Sequence, residues 1–84
     1  MQIRVVLTGR GYHLADAIPS ELELGEGANV SDALQNLEAA SPGLLADSML
    51  VLIDGRHVGT VAAHESVPLR DGSELELLAP VAGG

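Results

Sequence analysis

The sequence contains no cysteine, which excludes disulfides, thiolate zinc sites, cysteine nucleophiles and any persulfide held on a side chain. Lysine is missing too: the four basic residues are Arg4, Arg10, Arg56 and Arg70, so no side-chain amine is available for acylation. Aromatic residues make up 1% of the chain, with Tyr12 the single example, and the core must therefore be aliphatic. No apolar run approaches the ~20 residues of a membrane span. No charged-then-apolar signal segment opens the chain. A soluble, cytoplasmic protein that does not engage membranes is expected. Positive charge is scarce, with twelve acidic residues against four basic ones and a net charge of -8. Such a surface repels phosphate backbones and argues against nucleic-acid binding. It favours a partner with a basic docking face and speeds that encounter, or it serves solubility alone.

What is present suits one small domain. The 84 residues are 46% hydrophobic, and a domain of this size buries roughly 60% or a little more of its unfolded surface. From Gln2 to Thr8 the chain alternates, with Ile3, Val5 and Leu7 on one face, the period of a half-buried strand. Gly9 to Pro19 reads as a long loop, and Glu21 to Leu24 as a short second strand ended by Gly25 and Gly27. Val30, Ala33, Leu34 and Leu37 form one apolar helical stripe. Asn29 is placed as N-cap, and Asp32 three residues on suggests a capping box. Pro42 should stop the helix near Ala40. Met49 to Ile53 reads as a buried strand, Asp54-Gly55 as a tight turn and His57 to Val61 as the returning strand. After a turn at Asp71-Gly72, Leu75 to Ala79 forms the last strand, ended by Pro80. One helix with four or five strands predicts an α+β layer pair, a single sheet with the helix across one face. The first and last strands are the most regular and are expected side by side.

The chain divides into a folded domain over 1–79 and a flexible tail over 80–84, Pro80-Val81-Ala82-Gly83-Gly84. Without Cβ atoms, Gly83 and Gly84 make a thread that enters channels closed to other residues. From Pro80 the reach is on the order of 15 Å at ~3.3 Å per residue. A carboxylate on such a thread is a poor acyl donor until ATP adenylates it, after which a sulfide donor can convert it into a thiocarboxylate.

Asp71-Gly72-Ser73-Glu74-Leu75-Glu76-Leu77-Leu78-Ala79-Pro80-Val81-Ala82-Gly83-Gly84 resembles the ending of the molybdopterin branch, MoaD, of the MoaD/ThiS family of ubiquitin-like sulfur carriers. The likeness extends in pattern to the opening strand, the helix led by Asn29-Val30-Ser31-Asp32 and the Val51-Leu52-Ile53-Asp54-Gly55 turn. It implies a β-grasp fold with a mixed sheet. It also implies a non-catalytic carrier subunit of molybdopterin synthase, working in molybdenum cofactor biosynthesis. A MoeB/ThiF-like enzyme, consuming ATP, would adenylate Gly84, and a sulfurtransferase would complete the thiocarboxylate. A MoaE-like large subunit would then receive the tail, with Pro80, Val81 and Ala82 lining its channel and Gly83 permitting close approach. No stably bound cofactor is implied. The same tail chemistry serves carriers for thiamine, cysteine, transfer RNA thiolation or the tungsten cofactor. A ubiquitin-like modifier joined through Gly84, or an interaction module with an idle tail, are the readings of other classes.

Other constellations are thinner. His13, His57 and His64 lack metal-binding spacing, and two of them are placed near turns as surface residues. Glu21 with Glu23 and Glu74 with Glu76 have the spacing of a solvent face of a strand. Gly9-Arg10-Gly11 is too short for a phosphate loop. Ser20, Ser31 and the other serines have no base at recognisable spacing. Val6, Leu52 and Leu78 are candidates for an exposed apolar patch, unless the long loop covers them.

Overall fold

The computed structural model describes residues 1–9, 19–43 and 45–79. They form β1 (Gln2–Gly9), β2 (Glu21–Glu23), α1 (Val30–Ala40), β3 (Leu50–Ile53), β4 (Arg56–Thr60) and β5 (Glu74–Ala79). The five strands make one sheet in the order β2-β1-β5-β3-β4. The expected neighbours, first and last strand, do pair, and they run parallel from Arg4 opposite Glu74 to Gly9 opposite Ala79. All other pairings are antiparallel. This is the mixed β-grasp sheet with α1 packed on one face.

Period-two alternation in the strands meets the helical stripe in one aliphatic core. Ile3, Val51, Leu75 and Leu77 from the sheet and Val30 and Leu37 from α1 are its most deeply buried side chains. The Met49–Ile53 run is not buried throughout, as its unbroken apolarity suggested. Val51 and Ile53 enter the core, while Leu50 and Leu52 are only half-buried. A half-covered strand can carry leucine on its open side when neighbouring side chains shield it.

The helix begins as its sequence dictates. The side-chain oxygen of Asn29 accepts from the Asp32 amide at 3.1 Å, and the Asp32 carboxylate accepts from the Asn29 amide at 2.9 Å. Two amides that the helix cannot satisfy internally are thereby bonded. Asn29→Ala should cost about 1 kcal/mol, read as a lower urea midpoint at unchanged slope, whereas Asn29→Asp should keep most of the stability. A second clamp was not expected from the sequence. The Val30 amide donates to the Val67 carbonyl at 3.0 Å and the Leu69 amide to that of Ala28 at 2.9 Å. The long connection after β4 is thus tied across the helix start.

Asp54 and Gly55 both have positive φ, 50° and 85°, the conformation of a two-residue type I′ hairpin turn. Beyond it the register slips: Leu52 faces His57 but Val51 faces Gly59, leaving Val58 as an extra, buried residue in a bulge. Gly59 has φ 137°, and a Cβ there would lie 2.4 Å from the Ala63 carbonyl oxygen. Only glycine lets the 61–64 turn fold down onto β4.

Candidate functional site

The expected reactive group, Gly84, and the tail residues Pro80, Val81, Ala82 and Gly83 lie outside the described residues, as do 10–18 of the long loop. What the structure fixes is the root of the tail. β5 is the central strand, and its last residue, Ala79, is paired with Gly9 of β1, while Leu78 is flanked by Thr8 and Leu50. The turn that starts β5 is held to the opposite end of β1. Gln2 donates its amide to the Asp71 carboxylate at 2.8 Å and accepts from the Gly72 amide at 2.8 Å. Ser73, buried to 4% exposure, accepts the Arg70 amide through its hydroxyl at 3.0 Å. These bonds fix the start of the parallel ladder, which brings Ala79, the last described residue, opposite Gly9.

On the sheet face away from α1, the pairings place Val6, Glu76, Leu52 and His57 in one row, and Thr8, Leu78, Leu50 and Thr60 in the next. Val6, Leu52 and Leu78, the candidates for an exposed patch, are half-buried there together with Leu50, and residues 10–18 of the loop that could cover them lie outside the described residues. Glu76 accepts from the Thr8 hydroxyl at 3.0 Å, and Glu74 pairs with Arg4 at 3.5 Å. Both glutamates belong to the outer face, where their spacing put them; Glu76 stands between Val6 and Leu52, so the aliphatic side chains surround a carboxylate.

The histidines separate. His57 is exposed on β4, and His13 lies outside the described residues. Among the described residues no group of three or more His, Asp or Glu side chains could hold a metal ion. His64 is half-buried and has partners that its place in the sequence did not reveal. Its Nε2 lies 2.9 Å from the Ser31 hydroxyl and its Nδ1 3.0 Å from the Thr60 carbonyl oxygen. Ser31 therefore has an imidazole nitrogen within hydrogen-bond distance, supplied from 33 residues away in the chain. The two line a groove of about 370 Å³ beside α1, together with Leu34, Leu45 and Val61. No helix among the described residues is long and apolar enough to cross a membrane.

Comparison with known proteins agrees with this architecture. The molybdopterin synthase sulfur carrier subunit of Chlamydomonas reinhardtii is 31% identical over 85 residues, covering all of both chains. Among solved structures, SAMP1 from Haloferax volcanii is 28% identical, covers all of both chains and superposes with a TM-score of 0.74. A crystal structure of H. volcanii small archaeal modifier protein 1 gives 26% identity and a TM-score of 0.63, over 95% of this chain and 98% of that one. The ThiS family matches residues 5–84. Because that match runs from within β1, across the whole sheet and through the glycine pair, the chain belongs to the ThiS family.

Proposed function

We propose that this protein is a sulfur carrier that acts as the small subunit of a molybdopterin synthase, with Gly84 as the acyl group that carries the sulfur. The observation that carries this reading is the end-to-end match to a molybdopterin synthase sulfur carrier subunit, beside a family match that reaches Gly84. Physical chemistry supports it. A MoeB/ThiF-like enzyme spends ATP to adenylate the Gly84 carboxylate, which makes its carbonyl carbon attackable. A sulfide donor then displaces the adenylate and leaves a thiocarboxylate. The sulfur is thus held at the end of the backbone, which suits a chain without cysteine. A MoaE-like subunit receives the tail, and the folded body supplies grip rather than catalysis. The aliphatic patch of Val6, Leu50, Leu52 and Leu78 adjoins the point where the tail departs. Buried against a partner it would add apolar area, while the net charge of -8 draws in a basic docking face.

The test is intact mass spectrometry after incubation with a MoeB/ThiF-like enzyme, ATP and a sulfur source. The expected result is a gain of one sulfur in place of one oxygen, located in the peptide that contains Gly84. Unchanged mass under conditions that charge a known carrier would overturn the proposal.

A second reading is favoured by the likeness to small archaeal modifier protein 1: conjugation of Gly84 to amines of other proteins. This chain has no lysine, so it cannot form side-chain-linked polymers of itself. Covalent adducts that survive denaturing capture would support that reading.

A further inference from the structure

Ser31 stands in the first turn of α1, and its hydroxyl is 2.9 Å from Nε2 of His64. The other ring nitrogen, Nδ1, is 3.0 Å from the Thr60 carbonyl oxygen. A carbonyl can only accept, so in the neutral ring Nδ1 carries the proton and Nε2 presents its lone pair to the serine. Nucleophile, base and orienting acceptor are thus aligned in the order that activates a hydroxyl.

The base is also held firmly. The Thr60 amide donates to the Ala63 carbonyl at 2.7 Å, the Ala63 amide donates to the Thr60 hydroxyl at 3.1 Å, and the Glu65 amide donates to the Val58 carbonyl at 2.9 Å. Gly59 lets that turn lie against β4, with the His64 Cα only 2.6 Å from where a Cβ would stand. Thus His64 is carried on a fixed turn rather than on a swinging loop.

Beside the pair lies the groove of about 370 Å³, which has apolar walls from Leu34, Leu45 and Val61 and carboxylates from Glu38 and Asp47. Such a space takes a small acyl group, and the two carboxylates select against an anionic one.

We propose that Ser31 is an acylation site for a small, uncharged, activated carboxylic ester or thioester. The Ser31 oxygen attacks the carbonyl carbon while His64 Nε2 takes the hydroxyl proton. The new Oγ–C bond forms and the bond to the leaving group breaks. The proton then passes from Nε2 to the departing alkoxide or thiolate. The products are a Ser31 ester and a free alcohol or thiol, with no further reactant.

The full chain is treated with p-nitrophenyl acetate, and the adduct is located by peptide mapping. One acetyl group on Ser31 is expected, absent in Ser31→Ala. Acylation should be about a hundredfold slower or more in His64→Gln, the usual contribution of a general base. Circular dichroism checks that both variants keep their fold, and Ser31→Ala is the control should His64→Gln unfold. Acetylation confined to the amino terminus or to other hydroxyls would overturn the proposal. So would a Ser31 adduct that forms as fast in folded His64→Gln.

Discussion

Deletion of Gly83 and Gly84 should abolish sulfur transfer and leave the folded body as stable as before. The two halves of that expectation rest on different observations. Among the described residues the buried hydrophobic ones run from Ile3 to Leu77, and a terminal glycine pair has no side chain with which to fill a core. The urea midpoint of the shortened protein should therefore match that of the full chain. Activity should be lost because the new terminal carboxyl, on Ala82, is two residues or about 7 Å short of the original reach and lacks the Cβ-free glycine thread that enters a narrow channel, while no cysteine exists to hold the sulfur instead. The measurement pairs denaturant unfolding with a sulfur-transfer assay in the presence of the activating enzyme and the acceptor subunit. Retained activity would show that Gly84 is not the group that carries the sulfur.

Leu77→Ala should have the largest effect on folding, a loss of about 3 kcal/mol within the usual span for buried leucine. Leu77 is fully buried in the central strand, between Leu7 of β1 and Val51 of β3. Its removal opens a cavity bordered on two sides by hydrogen-bonded strands, which cannot easily close in to fill it. A domain of this length has roughly 4 to 12 kcal/mol to lose in total, so this one change consumes a large part of it. A matched change on the open face, Leu52→Ala, should cost far less, because half-buried Leu52 sits outside the core cluster. Comparable urea midpoints for the two variants would contradict the division between core face and open face.

Local patterns in the sequence foretold much of this structure. Alternation marked β1 and β5, the Asn29–Asp32 spacing marked the helix start, and Asp54-Gly55 marked the hairpin. Each of these signals lies within a few residues of the feature it specifies. What could not be read depends on contacts between distant segments. The parallel direction of β1 against β5 needs the turn at Asp71 to be bonded to Gln2, across 69 residues. Leu50 reads as buried because an apolar run does not reveal which face a helix will cover. The bulge at Val58 hides His64, since an extra residue redirects the chain after β4. The pairing of His64 with Ser31 has no trace in residue spacing at all. Gly59, inside a strand, was the one local hint of a close backbone approach. The expectation for residues 80–84 comes from composition and position alone, and it lies outside the described residues.

The placement of β5 also has a mechanical meaning. A tug on the chain beyond Ala79 acts along a strand bonded on both flanks, to β1 and to β3. Along β1 the parallel register spans six residue pairs, which would have to slide together under the load. A strand at the sheet margin, such as three-residue β2, could instead peel away one bond at a time. Load applied beyond Ala79 is therefore met by the whole length of the β1–β5 ladder at once, the arrangement that resists unravelling best.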